Sequence, residues 1–161
     1  MGSLNNITKS FLVIILIFIA QWTMAADYYV DAIHGSEAND GETWMTALRS
    51  ISEAMARMPD PGDNIHVAEG TYYEEVNLQP GVIVLGGYPS GGGTRDWTLY
   101  DSIIHGEGTH RCAVGVDDAV LDGFLLVHGQ AKSGGGIAFS RVTMTVNNCR
   151  FVNCVATHGT P

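Results

Sequence analysis

The residues best suited to chemistry cluster in the second half of the chain. Asp117, Asp118 and Asp122 stand close together. Calcium takes several oxygen ligands, and clustered carboxylates supply them. These three are the candidate calcium ligands, and the sequence points to no other cofactor. Asp122 also has a plainer reading as a corner residue, because Asp before Gly marks a turn. Lys132 is the one Lys after the first 25 residues and sits beside a glycine-rich turn. His66, His105, His110, His128 and His158 are spread out, with no i, i+4 pair. Cys112, Cys149 and Cys154 are an odd set, so at most one internal bridge forms and the pairing stays open. The spacing of Cys149 and Cys154 matches no zinc motif, and all three read as small apolar side chains in a core. Trp44, Trp97, Tyr73 and Tyr100 offer rings that stack on sugars or pack on the core. Gly91–Gly93 and Gly134–Gly136 lack the Lys-Ser/Thr ending and the following helix of a phosphate loop. No catalytic set emerges from these residues.

The first 25 residues read as a cleaved secretory leader. Lys9 supplies the positive start, an apolar run spans Phe11 to Ala20, and Thr23-Met24-Ala25 provides the cleavage site. The run is shorter than the roughly 20 residues a membrane span needs, so no stable span is expected after cleavage. The whole chain carries a net charge of −9, one unit more negative without Lys9. With no basic patch, such a surface repels phosphates and argues against nucleic-acid partners.

The elements that must position these residues change character once. Residues 26–62 hold a short strand in DYYVDA, a turn cluster at His34–Gly41 and one helix. Ala47, Leu48, Ile51, Ala54, Met55 and Met58 recur at helical spacing from Thr46, and Pro59, Pro61 and Gly62 stop them. The opposite face carries Arg49, Ser50, Glu53 and Arg57, so the helix has one apolar stripe and caps something. Residues 63–161 alternate short β-branched runs with Gly, Asn and Asp, which is an all-β pattern. The runs are Asn64–Ala68, Val82–Leu85, Ser102–His105, Ala119–Val127 and Val142–Val152.

Two of the runs repeat. VLDGFLLVHG (Val120–Gly129) laid over TVNNCRFVNC (Thr145–Cys154) sets Leu121 on Val146, Asp122 on Asn147 and Gly123 on Asn148. It also sets Phe124 on Cys149, Leu126 on Phe151 and His128 on Asn153. The same offset carries Gly134 to Gly159, and VLGGY (Val84–Tyr88) is a fainter third copy of VLDGF. Gly or Asn at a corner tolerates positive φ and turns the chain while keeping apolar side chains inward on both sides. Stacked copies then bury what one copy cannot, which is the logic of a solenoid. Its last coil, Val142 to Val155, is expected to present an uncapped edge.

The chain after residue 25 resembles the N-terminal region of secreted bacterial right-handed parallel β-helix proteins of the pectate-lyase-like superfamily. YYVDA, ANDGETW, the helix, GDNIHVAEGTYYE, GVIVLGGY, RDW and SIIHGEG follow that order, and VLDGFLLVHG with GGGI look like first full coils. GGGI followed by Phe151-Val152-Asn153 is similar to the repeats of polymorphic outer-membrane proteins and adhesins. There Asn stands three residues after Phe; here Cys154 holds that place. The resemblance implies an all-β, right-handed parallel β-helix of about three coils with an N-terminal capping helix.

The resemblance implies less about function, since one scaffold hosts many activities. The first reading is a secreted or cell-surface module, carbohydrate-associated or adhesive, whose partners are a polysaccharide or surface glycan and the remaining coils of a longer protein. The alternative is a truncated polysaccharide lyase or glycoside hydrolase with catalytic coils beyond Pro161. A lyase of this family pairs calcium with a Lys or Arg base, and Lys132 aligns with no such base. A hydrolase needs two carboxylates across one groove, and the position stacked on Asp122 is Asn147.

Overall fold

The computed structural model describes residues 24–57 and 60–157. The proposed leader and the second glycine turn at Gly159 lie outside them, apart from Met24 and Ala25. Met58, the last residue of the proposed helical stripe, lies outside them as well. The described residues form strands β1 (Asp27–Val30), β2 (Asn64–Ala68), β3 (Gly70–Tyr72), β4 (Val76–Asn77), β5 (Ile83–Tyr88), β6 (Ser102–His105) and β7 (Ala113–Val114). They continue with β8 (Val120–Asp122), β9 (Phe124–Val127), β10 (Gln130–Ala131), β11 (Ile137–Ala138), β12 (Thr145–Asn147), β13 (Arg150–Val152) and β14 (Val155–Ala156). One α-helix, α1 (Ile51–Arg57), follows a 3-10 turn at Trp44–Thr46. No helix among the described residues is long and apolar enough to cross a membrane.

Strands therefore dominate the regular structure, and every strand pairing among the described residues is parallel. The first sheet runs β1-β2-β5-β8-β12 and the second β13-β9-β6-β3. The third runs β11-β7-β4, and β10 pairs with β14. The chain visits the first, second and third sheets in turn and then returns to the first. Side chains alternate across each strand. Ile65, Val67, Val84 and Leu121 point inward from the first sheet, and Tyr72, Ile104, Phe124 and Leu126 from the second, into one buried cluster. Val76 and Ala113 close it from the third.

The repeat read from sequence is the register observed. Thr145, Val146 and Asn147 pair with Val120, Leu121 and Asp122, and Phe151 with Leu126. The corners are left-handed at Gly123 (φ 82°), Asn148 (φ 51°), His128 (φ 50°) and Asn153 (φ 54°). A methyl group at Gly123 would sit 2.8 Å from the Gly86 carbonyl oxygen, so close approach as well as φ calls for Gly there. The fainter copy is one residue out. Laying VLGGY on VLDGF puts Leu85 at the inward position of Leu121, whereas Val84 pairs with Leu121 and Leu85 with Asp122. Parity decides this, because a one-residue slip would turn Val84 out of the core and Leu85 into it. Gly86 and Gly87 have no side chain to betray which face they occupy.

The helix is shorter than its apolar stripe. It starts at Ile51 rather than at Thr46. Leu48 is drawn into a parallel bridge with Val30, where its N–H donates to the Tyr29 carbonyl and its own carbonyl accepts from Asp31 N–H. Ala47 is extended, with ψ 146°. Edge pairing with β1 thus takes two residues that helical periodicity claimed. Ile51, Ala54 and Met55 still face the core as a cap.

The helix N-terminus is closed from another part of the chain. Glu74 Oε1 accepts from Ile51 N–H at 2.9 Å and Oε2 from Ser52 N–H at 2.8 Å, while Ser50 Oγ accepts from Glu53 N–H at 3.1 Å. A carboxylate there meets both free N–H groups and the helix dipole. Glu74→Ala is expected to cost about 1–2 kcal/mol, and Glu74→Gln about half as much. Urea melts of the two variants check the ratio; no loss in Glu74→Gln would show that the charge and second oxygen contribute nothing. At the other end, Gln79 Nε2 donates to the Met55 carbonyl at 2.7 Å.

Candidate functional site

The acids singled out for calcium do not converge. Asp117 Oδ1 accepts from Thr143 N–H at 3.0 Å, and Asp118 occupies a left-handed turn with φ 58°. The Asp122 carboxylate is bound by the Arg95 guanidinium and by Asn148 Nδ2 at 3.2 Å. No group of three or more His, Cys, Asp or Glu among the described residues is placed to hold a metal ion. Lys132 is exposed and makes no ion pair among the described residues.

The thiols are free. Cys112 is buried, and Cys149 and Cys154 are half-buried against the core. Burial, with the Cys154 thiol alongside, pushes the Cys112 thiol up to about 12, and burial also raises Cys149. Thiolate is the reactive form, so both are poor nucleophiles at neutral pH. This agrees with their reading as small apolar side chains.

Of the four rings singled out for sugar stacking, Trp44 is fixed by packing. Trp44 packs on Tyr29 (centroids 4.9 Å apart) and Tyr88 (5.3 Å), covering the outer face of the first sheet. Beneath it His66 stacks on Tyr29 at 5.0 Å and links β1 to β5, with Nε2 2.9 Å from Asp27 Oδ1 and Nδ1 2.8 Å from Tyr88 Oη. The bond from His66 holds the Asp27 carboxyl below its usual range, and burial raises the Tyr88 phenol. This cluster ties strands together and leaves no reactive tip free. Trp97 lies with its backbone against Gly87 and is 38% exposed, and Tyr100 is half-buried in a turn where its N–H donates to the Asp96 carbonyl at 3.0 Å. Tyr73 is different. It is 64% exposed.

Tyr73 lines the rim of a cleft of about 340 Å³ with Arg49, Ser50, Thr71 and Glu74. Arg49, from the segment just before α1, is exposed and makes no ion pair among the described residues. Both oxygens of Glu74 are spent on α1, so the cleft offers one cation, two hydroxyls and a ring face rather than an acid–base pair. Beyond the cleft the surface continues as a ladder. The Tyr73 ring lies 5.1 Å from His105, and His105 lies 5.0 Å from His128. His128 Nδ1 is 3.1 Å from His105 Nε2, and Asn153 reaches His128 Nε2 at 3.2 Å.

The direction of the ladder follows from one donor. Glu107 N–H donates to His105 Nδ1 at 3.0 Å, so in the neutral ring the proton sits on Nε2 and points at His128 Nδ1. His128 then carries its proton on Nε2, toward the Asn153 side-chain carbonyl once the amide is oriented to accept. Sequence spacing showed His128 over Asn153 but missed His105, whose ring meets His128 from a position 23 residues earlier. It missed Arg49, Ser50, Thr71 and Glu74 as well, although Tyr73-Glu74 closed the motif GDNIHVAEGTYYE. No family model, curated protein or solved structure matches this chain.

Proposed function

We propose that the chain is a secreted or cell-surface module, wound as a right-handed parallel β-helix, that binds carbohydrate along the Tyr73 cleft and ladder. The order of strands supports the winding, since each sheet receives one strand per circuit and all pairs are parallel. The kinship with pectate-lyase-like proteins belongs to the same reading, as does membership of a longer protein with further coils.

The observation that carries the binding reading is the strip itself. Tyr73, His105 and His128 present rings at steps of 5.1 and 5.0 Å beside a cleft holding a free Arg and two hydroxyls. Sugar rings offer an apolar face and a rim of hydroxyls. Exposed aromatic faces with adjacent donors and acceptors match both. A ladder that gains one member per circuit suits a chain of sugar units rather than a single ring.

A glycan array followed by calorimetry on the best ligand tests this. Tyr73→Ala is expected to weaken binding about tenfold, which is a loss of about 1.4 kcal/mol. Stability should change by no more than about 0.5 kcal/mol, since the ring is exposed. No glycan bound at millimolar concentration, or wild-type affinity in Tyr73→Ala, would remove the reading.

A further inference from the structure

The outer face of the second sheet is apolar where it borders the ring ladder. Side chains alternate along β6 and β9. Ser102, Ile104, Phe124 and Leu126 turn inward, while Ile103, His105, Leu125 and Val127 turn outward. Pairing sets Ile103 beside Leu125 and His105 beside Val127, with Thr71 of β3 beside Ile103. Two rows result, both running across the strands. One holds Thr71, Ile103 and Leu125. The other holds Tyr73, His105 and Val127, with the exposed His128 ring next to it, 5.0 Å from His105. Ile103, Leu125 and Val127 are half-buried, so part of each stays open. A sheet face turned to water normally carries polar side chains at such positions.

The charged residues next to these rows in the chain are matched. Asp101 pairs with Arg150, Glu107 lies 3.6 Å from His110, and Glu75 lies 3.9 Å from Arg111. Glu74 is spent on α1. That leaves Arg49, in the cleft at the Tyr73 end. A polymer with a carboxylate on every unit would set each of those charges over apolar side chains and meet one cation at its end. The chain's net charge of −9 would repel it as well.

We infer that these rows select a neutral, β-1,4-linked glucan lying across the strands of the second sheet. The inference rests on the glycan reading and names its ligand. In such a chain every ring hydroxyl is equatorial. The hydroxyls form the rim, both ring faces show C–H, and the linkage keeps the ribbon flat. A flat ribbon can lie on Ile103, Leu125 and Val127. It also meets the Tyr73, His105 and His128 rings, which are tilted 46° at both steps rather than closed face to face. Its rim hydroxyls can bond Arg49, Ser50 and Thr71 at the cleft. An α-1,4-linked glucan has the same composition but coils, so it cannot follow straight rows.

The test titrates the full chain with three oligosaccharides of equal length: cellohexaose, maltohexaose and hexagalacturonate. Cellohexaose is expected to bind at least about tenfold more tightly than either of the others, and its affinity should not change with salt. Val127→Thr keeps the shape of the side chain and puts a hydroxyl in the row. It should weaken cellohexaose about threefold with the urea midpoint close to wild type. Equal or tighter binding of hexagalacturonate or maltohexaose overturns the inference and leaves the glycan reading standing. So does a blank for cellohexaose beside a hit elsewhere on the glycan array, or wild-type affinity in Val127→Thr. A blank array removes both.

Discussion

Replacing Asp31 with Ala is expected to lower stability by about 3–5 kcal/mol, and with Asn by about 2–4 kcal/mol. Asp31 is fully buried, and its carboxylate is the junction of two loops. Oδ1 accepts from Ile33 N–H at 2.8 Å and His34 N–H at 3.1 Å; Oδ2 accepts from Gly91 N–H at 2.8 Å and Ser90 Oγ–H at 2.9 Å. Ala leaves all four donors facing a void. Asn keeps one acceptor but turns an N–H₂ toward two other donors. Burial alone would raise the Asp31 carboxyl, but the bonds from Gly91, Ile33, His34 and Ser90 outweigh it and hold the carboxyl below its usual value. The sign of the pH effect follows. A carboxyl depressed in the folded state contributes stability that is full above the unfolded value near pH 4, and that contribution is lost as pH falls through the folded value. The gap between wild type and Asp31→Asn, read from urea midpoints, should therefore be constant from about pH 7 to pH 5 and narrow below about pH 4. A gap that widens in acid would mean that the folded state holds Asp31 protonated.

Asp31 also shows where sequence reading stops. It stands in YYVDA, but its partners Ser90 and Gly91 lie 59 and 60 residues on, inside a glycine run with no signal of its own. The parts that were legible are local or periodic. The pairing of Val120–Asp122 with Thr145–Asn147 could be read because the offset stays the same from β8 through β10 and the corners are marked Asp-Gly and Asn-Asn. The earlier circuit could not be placed to the residue, because Gly86-Gly87 removes the alternation that sets parity. Helical period found Ile51, Ala54 and Met55. It could not see that Leu48 gains more from bridging Val30 than from one further turn. The exposed ring of Tyr73 was legible as a candidate. The cleft around it was not, since Arg49 and Ser50 come from a distant segment that meets Tyr73 where Glu74 binds the N-terminus of α1. The histidine ladder hid for a related reason: a left-handed corner lets His128 reach His105 outside the simple repeat.

Phe124→Ala is the second large effect, at about 3–5 kcal/mol, and it carries information beyond its size. Phe124 is the largest of the fully buried side chains, 1% exposed at the start of β9, just past the Gly123 corner. Its ring fills the space that Gly86 leaves open, with the ring edge 3.1 Å from where a Gly86 Cβ would stand. Ser102 pairs with it from β6 and is fixed by its own bonds to the Val67 and Ala68 carbonyls at 3.0 Å. These neighbours are backbone and anchored side chains, so the cavity cannot collapse and the loss should sit high in the range. Phe151, on β13, is the informative contrast. It is as large and faces the same way as Leu126, yet lies half in solvent at the open edge. Phe151→Ala in the full chain should cost no more than about 1 kcal/mol, because little area returns to water. Both variants can be read from urea midpoints with unchanged slopes. If Phe151→Ala proves as damaging as Phe124→Ala, the Phe151 ring is covered in solution.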